Sequence, residues 1–146
     1  MIIKSRGYKY KGAIRGKIEY VMQEQKVGDA SFLLTRYVRN PEDMESVIQQ
    51  FEANENKRLH KRSNNNVLYQ EIVSFHKDDT PNLDEKKLKQ LARYYCKHRS
   101  KSMVVCALHQ DQDHLHLHFL LSGVEYATGK STRTSQADFA IFKNKL

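Results

Sequence analysis

Between residues 109 and 118 the chain reads His109-Gln110-Asp111-Gln112-Asp113-His114-Leu115-His116-Leu117-His118. Four of the seven histidines and two aspartates fall within these ten residues. Neutral imidazole is a good ligand for first-row transition metals, and neighbouring carboxylates orient the rings. An isolated His-x-His can simply be the polar face of an amphipathic strand. Several imidazoles packed together without an ion would repel when protonated, and nothing about folding asks for them. The spacing therefore favours a metal site, with Mn²⁺, Zn²⁺ or Ni²⁺, or with Mg²⁺ carried by a substrate phosphate. Three histidines with an open coordination position can polarise a phosphoryl oxygen or activate water.

That chemistry requires a strand. Residues two apart on a strand project to the same side. His114, His116 and His118 then share one face, while Leu115, Leu117, Phe119 and Leu121 point into the core. A helix would scatter these histidines around its axis. The short polar stretch Gln110-Asp111-Gln112-Asp113 reads as a turn joining two strands, Ser102–His109 and His114–Ser122. His109 can face the row from the partner strand, where directly opposed Cβ atoms lie about 5 Å apart. Three imidazoles can then converge on one ion.

The rest of the chain must carry that hairpin. Ile14, Ile18, Val21 and Met22 recur at helical intervals and predict a helix over about 12–24. A loop at Gln25-Lys26-Val27-Gly28-Asp29 and a strand from Phe32 to Val38 follow. Asn40-Pro41-Glu42-Asp43 predicts a helix start with Asn40 as N-cap and Pro41 in the first helical position. Met44, Val47, Ile48 and Phe51 form its buried face, and it should run to about Lys61. After the turn-rich Ser63-Asn64-Asn65-Asn66, Val67 to Phe75 reads as a strand. Thr80-Pro81-Asn82 should start another helix, with Leu88, Leu91, Ala92 and Tyr95 on one face. The order is strand, helix, strand, helix, strand, helix, hairpin. It predicts an α/β (α+β) fold in which helices pack on a mainly antiparallel five-stranded sheet, with the histidines on a central hairpin.

At 146 residues the chain fits one domain. Lysine and arginine outnumber aspartate and glutamate by 25 to 17, a net charge of +8 that suits a polyanionic partner such as nucleic acid. No apolar run approaches the roughly 20 residues of a membrane span, and the start lacks the apolar segment of a secretory signal. Cys96 and Cys106 make no CxxC pair and suit a reducing cytoplasm. Cys106 sits in an apolar run and reads as a small core residue. Lys57, Arg58, Lys61 and Arg62 cluster at a helix end, where the macrodipole alone favours cations.

The run His109-x-Asp111-x-Asp113-His114-x-His116-x-His118 resembles the metal motif of HUH endonucleases, specifically the relaxase/mobilisation nuclease family. Glu71-Ile72-Val73-Ser74-Phe75-His76 resembles the strand before that family's second helix. Ile18-Glu19-Tyr20-Val21-Met22 resembles its tyrosine-bearing N-terminal segment. The resemblance extends from about Ile14 to Gly129. It implies a divalent ion, Mn²⁺ or Mg²⁺ foremost, held by His109, His116 and His118. Asp111 and Asp113 would orient the imidazoles, and His114 would support them. Tyr20 would attack a scissile phosphodiester and become joined to the 5′ phosphate of single-stranded DNA. The implied setting is an origin of transfer, with auxiliary mobilisation proteins as further partners.

Tyr8 and Tyr10, in a basic stretch, are the runner-up nucleophiles. Packing accounts for Tyr37 and Tyr69 in predicted strands and for Tyr94 and Tyr95 in a helix. Tyr126 follows the histidines, as the tyrosine does in replication initiators and single-strand transposases of the same superfamily. A non-catalytic DNA-binding derivative is the third reading. Arg15 and Lys17, flanking Tyr20, and Lys130 and Arg133, after the histidines, are candidate DNA contacts. The family often has Asn four residues past the last histidine, where this chain has Ser122. Family members usually continue beyond the motif, so the chain reads as a minimal nuclease domain or an N-terminal fragment.

Overall fold

The computed structural model describes residues 2–24, 33–76, 78, 83–99, 101–111 and 114–132, with residues 110, 111 and 114 described at the backbone only. Five strands form one sheet: β1 (Ile2–Tyr8), β2 (Leu33–Arg36), β3 (Leu68–Ser74), β4 (Ser102–Asp111) and β5 (His114–Glu125). Their spatial order is β1-β3-β5-β4-β2, and every neighbouring pair is antiparallel. The histidine-rich strand β5 is therefore central, as the sequence predicts.

Among the described residues three helices cover the sheet: α1 (Gly12–Glu24), α2 (Met44–Asn56) and α3 (Glu85–His98). The β1–β2 connection starts at one edge of the sheet and ends at the other. The chain must cross a sheet face to make it, and α1 lies in that connection, against β4 and β5. Its apolar stripe, Ile14, Ile18, Val21 and Met22, is buried with Val47, Ile48 and Phe51 of α2 and with Met103, Val105, Ala107 and Leu120 of the sheet. The opposite face of the sheet packs on α3. Leu88, Ala92, Tyr95 and Cys96 meet Val104, Cys106, Leu108, Leu115, Leu117, Phe119 and Leu121. Each buried Leu, Ile, Val or Phe contributes about 1.5–3 kcal/mol by leaving water. The strand β5 thus alternates as expected, its odd-numbered residues from Leu115 to Leu121 packed under α3.

Some boundaries differ from the sequence reading. The N-cap of α2 is Asp43, whose side chain accepts from Ser46 N at 3.2 Å. Asn40 instead has a left-handed φ of 51°. Its carbonyl accepts from Asp43 N at 3.0 Å, so it belongs to the preceding turn. An N-cap needs extended backbone, and Asp43 has it (φ −101°, ψ 101°). The helix ends at Asn56 with Lys57 as C-cap, short of Lys61. The N-cap of α3 is Asp84, which accepts from Lys87 N at 2.7 Å. The predicted loop at 25–29, Phe32 and the Thr80-Pro81-Asn82 start lie outside the described residues.

Under α3, Glu71 is 2% exposed. It accepts from Tyr95 Oη, from Arg99 Nε at 3.1 Å and from Ser5 Oγ at 2.9 Å. The ion pair with Arg99 and these hydrogen bonds satisfy a carboxylate that would otherwise be costly to bury. Burial and the nearby Glu71 charge push the Tyr95 phenol far above its ordinary pKa, so it stays a donor. On the other face Arg58, one of the predicted basic cluster, is 5% exposed. It pairs with Glu55 at 2.7 Å and donates to the carbonyl of Asn66 at 2.8 Å, a packing role rather than a free surface charge.

Candidate active site

The hairpin brings the histidines together by register. His109 lies directly opposite His116, and Ala107 opposite His118. His118 and His116, two apart on β5, project to the side covered by α1. His109 follows Val105 and Ala107 onto that same side. The rings of His109 and His118 are 4.1 Å apart between centroids, and those of His116 and His118 are 6.1 Å apart.

Each ring has a distinct environment. His109 Nε2 lies 3.0 Å from the carbonyl of Val21 on α1. A carbonyl only accepts, so Nε2 is the donor in this contact. His116 Nδ1 is 3.0 Å from the hydroxyl of Ser74, its cross-strand partner on β3. His118 is 8% exposed, and its buried Nδ1 has no hydrogen-bond partner. Burial, followed by the neighbouring His109 and His116, lowers the His118 pKa to about 3, so this imidazole is neutral and keeps a lone pair.

Tyr20 joins the group from α1. Its ring packs edge-on against His109 at 6.1 Å and against His118 at 6.4 Å between centroids, while the residue stays 51% exposed. The phenol is therefore both beside the imidazoles and open to a substrate. Tyr8 is buried, its hydroxyl donating to Gln70 Oε1 at 3.1 Å. Tyr10 is exposed and edge-on to Tyr8. Tyr126 lies past the far end of β5, stacked on Tyr37.

The fit to a metal ion can be judged from the donors. Three imidazoles meet at one end of the sheet, and one of them buries an unpartnered ring nitrogen, which is costly unless something binds it. Among the described residues, no three His, Cys, Asp or Glu side chains are already arranged to hold an ion. The centroid distances show that the rings are close. The donor set, three close imidazoles with one buried unpartnered ring nitrogen, suits a divalent transition ion.

The remaining candidates divide. Asp111 and His114 pair with each other at the end of the hairpin, and only their backbones are described. Asp113 and Arg133 lie outside the described residues. Arg15 is engaged by Glu45 through two hydrogen bonds, 2.6 and 2.8 Å, and reaches Glu19 at 3.4 Å. Lys17 sits 4.8 Å over the Tyr8 ring. Lys130 is exposed beyond β5, at the end of the sheet away from the imidazoles. Ser122 is buried and accepts from Asn54 Nδ2 at 2.8 Å, so it faces α2. The sequence reading did not single out Ser74 or the Val21 carbonyl as partners of the histidines. Only the strand register and the path of α1 reveal them.

Residues 20–145 match the family model described as "Relaxase: MobA/VirD2-like, nuclease domain". The chain belongs to this relaxase nuclease family. Its fold is similar to that of the MobM relaxase domain (MOBV; Mob_Pre) in a Mn-bound crystal structure with 22 nucleotides of plasmid pMV158 oriT DNA. The identity is 14%, the TM-score 0.67, and the match covers 99% of this chain and 83% of that one. The same domain bound to 26 nucleotides of oriT DNA gives 14% identity and a TM-score of 0.66, covering 99% and 81% of the two chains. At such identity the likeness is one of fold. No curated protein sequence matches the chain.

Proposed function

We propose that this domain is a metal-dependent, site- and strand-specific DNA nickase, a relaxase that joins itself to single-stranded DNA at an origin of transfer during plasmid or element mobilisation. The observation that carries the reading is the exposed phenol of Tyr20 packed against His109 and His118. Membership of the relaxase nuclease family and the Mn and oriT DNA bound to the structurally similar MobM domain support it.

Tyr20 Oη attacks the scissile phosphorus. A P–O bond to Tyr20 forms, the P–O3′ bond breaks, and the departing 3′ oxygen takes up a proton while the phenol loses its own. The products are a 5′-phosphotyrosine link and a free 3′ hydroxyl. The reaction exchanges one phosphodiester for another, so a terminal hydroxyl can reverse it without ATP. A free phenol ionises only near pH 10 and is a poor nucleophile at neutral pH. His109, His116 and His118 would hold a divalent ion, Mn²⁺ or Mg²⁺ foremost. When bound, the ion neutralises phosphate charge and makes attack by phenolate less costly. The carbonyl of Val21 and the hydroxyl of Ser74 orient two of the three rings. Asp111, Asp113 and His114 are the further candidates for orienting them.

Tyr126 is the nucleophile under the replication-initiator or transposase reading. It is eight residues beyond His118 along or past β5, about 25 Å of extended chain. The position of Tyr20 favours the relaxase. The test mixes the protein with single-stranded DNA of its own genetic element, with Mn²⁺ or with EDTA, and looks for a covalent adduct on denaturing gels. The expected result is a metal-dependent adduct that mass spectrometry maps to Tyr20. An adduct on Tyr126 would transfer the assignment, and tight DNA binding with no adduct would leave a non-catalytic module.

A further inference from the structure

A second constellation stands at the other end of the sheet. A cavity of about 450 Å³ opens there, lined by Tyr37, Arg39, Gln50, Asn54, Lys57 and Tyr126 among others. Tyr37, just after β2, and Tyr126, just after β5, stack almost parallel, 4.6 Å between centroids and 8° between planes. Both remain exposed, 43% and 41% respectively, so the pair is not core packing. Arg36 lies 5.1 Å over the Tyr37 ring and Lys57 lies 5.6 Å over the Tyr126 ring.

The cavity wall is held in place by unusual local structure. Tyr37 has a φ of 60°, a left-handed backbone that a non-glycine residue seldom adopts. Two residues on, the backbone of Arg39 is clamped by Gln50, which accepts from its N–H at 2.8 Å and donates to its carbonyl at 2.7 Å. Strained backbone of this kind persists where surrounding contacts fix it and is common at ligand clamps.

Asn54 supplies an independent sign of a ligand. It is 2% exposed and lines the cavity, and its Oδ1 has no hydrogen-bond partner. The amide orientation is fixed, because Nδ2 donates to the carbonyl of Val124 at 3.1 Å as well as to Ser122 Oγ at 2.8 Å. A carbonyl only accepts, so the atom left over is an acceptor. The site therefore combines an exposed aromatic pair, a cation over each of its outer faces and one buried acceptor wanting a donor. An unpaired nucleobase can take the Tyr126 face when the exposed Lys57 moves to a flanking phosphate, and it offers a ring or exocyclic N–H to the acceptor.

We propose that the Tyr37–Tyr126 platform with Asn54 and Lys57 is a second DNA subsite, which captures an unpaired base of the bound strand several nucleotides away from Tyr20. Met103, at the cavity, and His109, in the imidazole cluster, are six residues apart on β4, about 20 Å of strand. They mark the two ends of the sheet face that α1 and α2 cover, so a strand bound at both sites passes outside those helices. The inference rests on the DNA-nicking reading of the imidazole site and adds a reason for the domain to prefer longer single strands.

The test compares 5′-labelled oligothymidylates of about 6 and about 20 nucleotides by fluorescence anisotropy, on the full chain and its Tyr126→Ala and Tyr126→Phe variants. Wild type should bind the longer strand more tightly than the shorter. Tyr126→Ala should lose roughly 5- to 100-fold on the longer strand. It should match wild type on the shorter strand, and Tyr126→Phe should restore the loss. A 2-aminopurine placed at successive positions of the longer strand should be quenched at one position in wild type and not in Tyr126→Ala. Equal affinities of wild type and Tyr126→Ala at both lengths, or no binding by wild type, would overturn the subsite. An adduct at Tyr20 with unchanged Tyr126→Ala affinity overturns the subsite alone. Tyr126-dependent binding without any adduct supports the subsite and overturns the nickase.

Discussion

His109 grips α1 at one residue and packs against the next one back. Its Nε2 holds the carbonyl of Val21 at 3.0 Å, and its ring meets the ring of Tyr20 at 6.1 Å. One imidazole thus ties the helix that bears the phenol to the hairpin that bears the other two rings. Because Val21 and Ile18 are fully buried, α1 has little freedom to roll, and Tyr20 is kept over the imidazoles while remaining solvent-facing.

The first prediction concerns the nucleophile. Tyr20→Phe keeps the ring against His109 and His118 and removes only the hydroxyl. It should bind Mn²⁺ and single-stranded DNA as wild type does, yet yield no covalent adduct. Tyr10→Phe, by contrast, should form adduct at a wild-type level, since Tyr10 contacts Tyr8 rather than the imidazoles. Gel-shift binding and denaturing gels on the same samples separate the two outcomes. Adduct at normal yield from Tyr20→Phe would move the nucleophile elsewhere.

Ser74 gives a sharper test of the ion site, because it touches a proposed ligand without being one. Its hydroxyl lies 3.0 Å from His116 Nδ1. Partners of this kind hold the ring so that its other nitrogen faces the ion, and their loss typically weakens binding about 10- to 100-fold. Ser74→Ala should lower Mn²⁺ affinity by that order in calorimetry, with an unchanged circular dichroism spectrum. His116→Ala should weaken binding further. If Ser74→Ala left the affinity unchanged, the hydroxyl would have no orienting role.

Much of this arrangement is legible in the sequence because two periodicities dominate it. The two-residue alternation of Leu115-His116-Leu117-His118-Phe119 carries both the strand and its two faces. The helical spacing of Ile14, Ile18, Val21 and Met22 gives α1 its bounds and its buried stripe. Local spacing does not place the α2 start, because Asn40-Pro41 and Asp43 both carry capping chemistry. Only backbone geometry, left-handed at Asn40 and extended at Asp43, decides between them. The Ser74–His116 and Val21–His109 contacts depend on which strands neighbour which and on where α1 crosses, and neither follows from local spacing. The Tyr37–Tyr126 stack is not legible for the same reason, since its members are 89 positions apart in the chain. Arg15 shows the converse limit. Its position beside Tyr20 suggests a phosphate contact, but an acid from α2, Glu45, occupies its guanidinium.

The face under α3 carries stability rather than chemistry, which Arg99 tests. Arg99→Met would leave the Glu71 carboxylate, 2% exposed, with Tyr95 and Ser5 but no cation. Removing one partner of a buried ion pair typically costs about 3–5 kcal/mol. Urea denaturation should show a loss of that order. The double variant Arg99→Met with Glu71→Gln should recover part of it, because an uncharged amide is less costly to bury. Wild-type stability in the single variant would mean that solvent reaches Glu71.

The last prediction concerns the crossing between the sheet and the turn-rich segment before β3. Gly123 of β5 passes so close to that segment that a Cβ there would lie 2.0 Å from the carbonyl oxygen of Asn66. That carbonyl accepts from Arg58 at 2.8 Å, and Gly123 N donates to the carbonyl of Val67 at 3.0 Å. The neighbour is backbone and cannot swing away like a side chain. Gly123→Ala must therefore push two segments apart and stretch the Arg58 contact. Overpacking of this kind costs about 1–3 kcal/mol. Gly16, on the exposed side of α1, has nothing within 4 Å of its added Cβ. Gly16→Ala should instead be stabilising by about 0.5–1 kcal/mol through helix propensity. Thermal melts of the two variants should thus move in opposite directions from wild type. A Gly123→Ala melt at or above wild type would show that the sheet and the Asn66 segment are not in contact as described.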